Sequence, residues 1–179
     1  MHWSEISDRQ PALGAVMNRL LIEPRVLLIG TIRRDGTARI SGVEPLVLDG
    51  DLWLSMMSDS PKRRDLARDP RIVLNSVITS PDPGAEIKVR GTAQAVAEPG
   101  RQERYAAAVQ EQIGWQPLVG QFSLFVVEVA DVTYVGFEPG SGDQHVARWP
   151  PGEEYVRPQL SPTRLGQPRP VSEFLSSDA

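Results

Sequence analysis

Cysteine is missing from this 179-residue chain, which removes disulfides, thiolate metal sites and cysteine nucleophiles together. Histidine is scarce, since His2 and His145 are the only two. A structural zinc site wants about four nitrogen or sulfur ligands. A Ser-His-Asp triad would have to use one of two histidines near the ends of the chain, so neither chemistry is expected. There is no excess of positive charge: 19 basic residues stand against 23 acidic ones, for a net charge of -4 and an isoelectric point of about 5.2. No global field favours nucleic acid or an anionic membrane, and any contact with phosphate has to be local. Long apolar runs are missing as well. The longest near the start, Val26-Leu27-Leu28-Ile29, falls far short of the ~20 residues that span a bilayer. Residues 1-20 carry Glu5 and Asp8 and lack the continuous apolar core of a secretory signal. The expectation is a cytoplasmic protein with no membrane and no nucleic-acid partner. At 19.7 kDa one domain is expected, burying roughly 70% of the unfolded surface.

The apolar spacing predicts where the elements lie. Leu13, Val16, Met17, Leu20 and Leu21 fall on one face of a helix over residues 7-22, with Ser7 or Asp8 as cap and Pro11 in the opening turn. From Val26 the period becomes that of strands. Three runs, 26-32, 37-48 and 51-57, are punctuated by Asp35-Gly36 and Asp49-Gly50, which predicts a meander of three strands. Ser60-Pro61 opens a short helix that stops at Pro70, and RIVLNSVI (71-78) resumes strand. Thr79 to Gly84 is a loop by composition. Residues 86-97 alternate as a strand, 100-112 read as a helix after Pro99, and 123-137 form a long β stretch with a break near Ala130-Asp131. No strict alternation of strand and helix occurs, so the fold class is mainly β with short helices, an antiparallel barrel. The core domain is expected to span residues 1-138. Residues 139-179 are rich in proline and read as a C-terminal arm or disordered tail.

Chemistry concentrates where the third strand run leaves Met56-Met57-Ser58 and the helix opens at Ser60-Pro61-Lys62-Arg63-Arg64. Cations in a first helical turn oppose the helix dipole by roughly 0.3-1 kcal/mol each, so an anion that neutralises them would explain their placement. A phosphate fits, with hydroxyls from Ser58 and Ser60, charge from Lys62 and Arg63, and backbone N-H groups completing the cradle. Glu44-Pro45 sits inside a strand run, where proline implies an edge or a bulge. Glu44 there reads as a solvated charge, and Trp115 and Trp149 as packing anchors.

Three segments together carry a resemblance: Gly30-Thr31-Ile32-Arg33-Arg34-Asp35-Gly36-Thr37-Ala38-Arg39-Ile40-Ser41, then Asp49-Gly50-Asp51-Leu52-Trp53-Leu54, then Ser60-Pro61-Lys62-Arg63-Arg64-Asp65-Leu66. In order and spacing the chain resembles the pyridoxamine 5'-phosphate oxidase-like flavin-binding split barrels, over about residues 10-137. The resemblance implies an antiparallel split β-barrel, a homodimer with cofactor sites at the subunit interface, and a bound FMN. It places the cofactor phosphate on Ser60 and Lys62, with Arg39 or Ser41, Met57, Ser58 and Arg63 approaching the cofactor. The family's arginine-rich, histidine-containing segment near the C-terminus is not matched; His145-Val146-Ala147-Arg148-Trp149 is its only trace. An oxidoreductase acting on a small-molecule substrate is therefore expected, without assignment to vitamin B6 chemistry. The same anchor would serve a phosphorylated deazaflavin, and a non-enzymatic flavin or haem carrier or sensor is the alternative from another class. Haem would need an axial ligand, and only two histidines exist.

Overall fold

The computed structural model describes residues 1-78, 84-172 and 175. Residues 79-83, most of the expected loop, lie outside them. The first half of the sheet contains β1 (Leu27–Ile32), β2 (Ala38–Val43), β3 (Pro45–Leu48), β4 (Asp51–Met57) and β5 (Arg71–Asn75). The second half contains β6 (Glu86–Val96), β7 (Phe122–Phe137), β8 (Gln144–Trp149), β9 (Glu153–Arg157) and β12 (Arg169–Pro170). These ten strands form one antiparallel sheet in the order β12-β9-β8-β7-β6-β5-β1-β2, with β4 on β7 and β3 on β4. β10 (Gln159–Ser161) and β11 (Arg164–Leu165) make a separate small hairpin. This is the expected mainly β split barrel with short helices.

β7 is long enough to belong to both halves. Its first six residues pair with β4, its last six with β8, and nearly its whole length with β6. The break expected near Ala130-Asp131 is a bulge instead. Arg90 faces Asp131 and Gly91 faces Val129, so Ala130 is the extra residue and the strand runs on. Gly91 permits this close approach, because a Cβ there would run into the backbone carbonyl of Glu128. Gly91→Ala is expected to lower stability by about 1-3 kcal/mol, the range for overpacking. A thermal melt checks it, and an unchanged midpoint would contradict the steric account.

Two expected elements divide where proline interrupts the backbone ladder. The single helix over 7-22 is instead α1 (Trp3–Arg9), α2 (Pro11–Met17) and a π-helical turn Asn18–Ile22. His2, not Ser7 or Asp8, precedes the first helix, and Gln10 breaks it at φ -138 and ψ 74. Pro11, which has no N-H to donate, starts a new helix there. The run 37-48 likewise becomes β2 and β3, parted at Glu44-Pro45; β2 pairs with β1 and β3 with β4, so the expected three-strand meander is two hairpins instead. β3 and β4 remain a hairpin, turned at Asp49 (φ 55) and Gly50 (φ 81), both in the left-handed region that a type I′ turn demands. β5 stops at Asn75 rather than residue 78, because buried Ser76 takes over the pairing: its hydroxyl accepts from the Ile87 N-H at 3.0 Å.

The main core lies inside the barrel, where Leu27, Ile29, Leu52, Leu54, Leu74, Ile87, Val89 and Val127 meet Trp3, Ile6, Val16 and Met17. Beyond residue 138 the chain continues onto the sheet through β8, β9 and β12, and Trp149 and Leu175 are buried in the same core. A second, smaller core forms on the outer side of β3, β4 and β7. There α4 (Pro99–Ile113) lays Tyr105 and Val109 against Leu46, Trp53, Val96, Leu124 and Val126. Pro99 opens that helix and Gly114, at φ 72, ends it with its N-H on the Gln110 carbonyl at 2.9 Å.

Candidate functional site

The segment singled out in the sequence becomes α3 (Pro61–Leu66), a helix of six residues capped by Ser60. The Ser60 hydroxyl accepts from the Arg63 N-H at 3.4 Å and is buried, so it is already used in closing the first turn. α3 runs alongside β2 in the opposite direction. Its start reaches the end of β2, where the Lys62 ammonium donates to the Gly42 carbonyl at 2.7 Å. One turn on, Asp65 reaches the start of β2. Its carboxylate accepts from Arg39 Nε at 2.6 Å, Arg68 Nη2 at 2.8 Å and Thr31 Oγ1 at 3.0 Å.

Asp65 is buried, at 3% exposure. Burial pushes its carboxyl pKa up, but the hydrogen bonds from Arg39, Arg68 and Thr31 outweigh that and hold it below the ordinary carboxylate value. Only Nε of Arg39 is engaged in this way; its two Nη groups carry no partner among the described residues. Burial acts on Lys62 in the other direction, lowering its pKa, and the nearby Glu44 carboxylate partly restores it. Lys62 forms no ion pair among the described residues, although it is half-buried.

Lys62 stands at one end of a cleft of about 550 Å³. Its walls are mostly apolar, from Val26, Met57, Trp115, Leu118 and Phe122, with Glu44 and Ser55 among the polar lining. Met57, Trp115 and Leu118 are exposed at 71%, 60% and 64%, a concentration of uncovered apolar surface around a single ammonium. The structure therefore brings Lys62 and Met57 onto one cleft. It places Arg39 in a neighbouring one with Arg33, Arg34, Arg64 and Arg68. Ser41 is half-buried on the same face of β2 as Arg39, while Ser58 and Arg63 are exposed at either side of the Ser60 cap.

A third cleft, of about 640 Å³, opens beside the Lys62 cleft and shares Glu44, Ser55 and Trp115 with it. Tyr105 of α4 closes its inner end. No local signal marks Tyr105, because it falls on the apolar stripe of its helix with Val109. Glu44 was visible through its proline neighbour. A broader concavity, about 910 Å³, lies elsewhere, on the outer face of β2, β1, β5 and β6, where exposed Ile40 and Val73 are flanked by Arg71 and Arg90. Among the described residues no group of histidines and carboxylates has the arrangement of a metal site, and no helix is long and apolar enough to cross a membrane.

A long β7 shared by two half-barrels, with a short basic helix over β1 and β2, defines a split barrel. The family model of pyridoxamine 5'-phosphate oxidase matches residues 13-136, and the chain belongs to that family. No curated protein matches it in sequence. Among solved structures it is similar to the conserved hypothetical protein Rv2991 from Mycobacterium tuberculosis, at 20% identity and TM-score 0.56, over 66% of this chain and 81% of that one. It is similar to an F420 reductase, at 20% identity and TM-score 0.50, over 64% of this chain and 94% of that one. PhzG from Burkholderia lata 383, in complex with tetrahydrophenazine-1-carboxylic acid, matches 93% of this chain and 90% of its own, at 13% identity and TM-score 0.58. At such identities the likeness carries the fold.

Proposed function

We propose that this protein is a cytoplasmic FMN-binding oxidoreductase that acts as a homodimer on a small-molecule substrate. The observation that carries the reading is Lys62, a half-buried ammonium whose one described acceptor is the neutral Gly42 carbonyl, at the end of an apolar cleft. Such a group has donors to spare and forms no ion pair among the described residues, although Glu44 lies near enough to favour its charge, and this suits a phosphate monoester joined to a flat, apolar ring. The donors present fit an FMN phosphate. Lys62 would take the charge, Arg39 would add its free Nη groups, Ser41, Ser58, Ser60 and Arg63 would approach from β2 and α3, and Met57 would lie against the ring. The cofactor supplies two-electron chemistry; the chain's residues hold its phosphate and keep water from its ring.

A homodimer is supported by the broad concavity around Ile40 and Val73, whose exposed apolar surface would be covered by a second copy. Residues 1-138 would form the cofactor-binding barrel of this dimer, with β8, β9 and β12 extending its sheet. A phosphorylated deazaflavin in place of FMN is the second reading, supported by the likeness to the F420 reductase. An absorption and mass spectrum of the cofactor released from purified protein decides between them. A yellow protein releasing FMN, with a light-scattering mass twice 19.7 kDa, is the expected result. A protein that takes up neither FMN nor a deazaflavin would overturn the reading.

A further inference from the structure

The chamber beside the Lys62 cleft is walled by β3 and β4 of the sheet, by α4 and by the end of the π-helical turn with the residues after it. Leu46, Val109 and Ile113 make it apolar, and Trp115 stands at its mouth, 60% exposed. Its polar groups are few and placed. Tyr105, only 3% exposed, donates its hydroxyl to Ser55 Oγ at 2.9 Å. Ser55 therefore accepts from behind, and its own proton has no acceptor among the described residues. It lines both this chamber and the cofactor cleft, so that donor is available where the two meet. The charged groups on the chamber are Glu23 and Glu44 against Arg25, all three exposed, an acidic balance at the entrance. No cation stands at the inner end, where Tyr105 and Val109 are buried. Burial raises the Tyr105 pKa, opposed by its hydrogen bond to Ser55 and reinforced by Glu44.

We propose that this chamber holds the substrate, and that the substrate is an uncharged, flat, apolar carbonyl compound whose oxygen accepts the Ser55 hydroxyl. Apolar walls take the ring, the Tyr105 hydroxyl fixes Ser55 as a donor, and the carboxylates at the entrance disfavour anions. A volume of about 640 Å³ lies within the range of small-molecule pockets, roughly 300-1,000 Å³, and admits one or two fused rings. The proposal rests on the flavin reading for its redox role, because the two clefts share Glu44, Ser55 and Trp115.

Three probes of nearly equal size test it: 2-acetylnaphthalene, which has the carbonyl; 2-methylnaphthalene, which lacks it; and 2-naphthoate, which is an anion. Binding is measured by equilibrium dialysis on the full-length protein with its cofactor and again after the cofactor is removed. The ketone is expected to bind about tenfold more tightly than the carboxylate. Ser55→Ala should remove the ketone's advantage over the hydrocarbon, a loss of roughly three- to tenfold for a neutral hydrogen bond, without changing the hydrocarbon. Glu44→Gln should raise the affinity for 2-naphthoate. Carboxylate binding as tight as the ketone's would overturn the proposal. So would a ketone-to-hydrocarbon ratio that Ser55→Ala leaves intact. FMN uptake is read separately by absorbance, so a failure of the flavin reading shows as lost FMN binding with probe selectivity retained. A failure of the substrate proposal shows as FMN binding without that selectivity.

Discussion

Lys62→Met should weaken FMN binding by roughly ten- to hundredfold while leaving riboflavin binding nearly unchanged. The substitution removes a charge-assisted contact to phosphate, worth about 1.5-3 kcal/mol, and riboflavin has no phosphate to lose it. Methionine keeps the length and apolar stem of the side chain, so the wall that Lys62 contributes to the cleft is preserved. Stability should not suffer. Burial lowers the Lys62 pKa, which means that the fold disfavours its charge, and its one described bond goes to a backbone carbonyl at 2.7 Å. Fluorescence titration with both flavins, beside a thermal melt, separates the outcomes. Equal weakening toward FMN and riboflavin would move the phosphate away from Lys62. A large drop in the melting temperature would mean that the residue's role is structural.

Asp65→Asn is expected to cost about 3-5 kcal/mol, the range for breaking a buried pair and leaving its partner uncompensated. Two guanidinium groups and one hydroxyl converge on this carboxylate, at 2.6, 2.8 and 3.0 Å. An amide satisfies part of that geometry and none of the charge. For a chain of this length the loss corresponds to a fall in melting temperature of roughly 6-20 °C. The pH dependence follows from the direction of the shift. The folded-state pKa of Asp65 lies below its ordinary value, so the charge contributes stability above the unfolded pKa, about 3.9. That contribution fades as the pH falls toward the folded value. The gap between wild type and Asp65→Asn should be constant from about pH 5 to 8 and narrow below about pH 4. A gap that persists undiminished to pH 2 would show that packing, not charge, sets the cost. Because Asp65 fixes Arg39 Nε and leaves the Nη groups free, the same variant bears on the cofactor site as well.

Local chemistry made much of this fold legible in advance. The Asp49-Gly50 turn, the Ser60 cap with Pro61 behind it and the alternation along residues 86-96 each depend on neighbours within a few positions, and all are in place. Lys62 stands out in the same way, as one of only two lysines and in the first turn of the helix that opens after the strand end. Periodicity misled where a backbone group is missing. Pro11 and Pro45 sit inside runs whose side chains keep their period, and pattern alone does not register the lost N-H that divides each run in two. The short strands after residue 138 were not legible for another reason. β8, β9 and β12 are two to six residues long, with little apolar surface of their own, and exist because β7 offers an edge to pair with.

The sequence by itself determined the class, the turns and the place where a cation meets a helix start, because those are matters of composition and short spacing. It also determined that Arg39 and Asp65 would both be present, but not that they would meet. Only the tertiary structure decided that α3 runs back along β2, so that residues 20 and 26 positions apart become the Lys62–Gly42 carbonyl contact on one turn and the Arg39–Asp65 pair on the next. It alone set Tyr105 behind Ser55, 50 positions away, since which face of a helix meets which face of a sheet is fixed by packing the whole core at once.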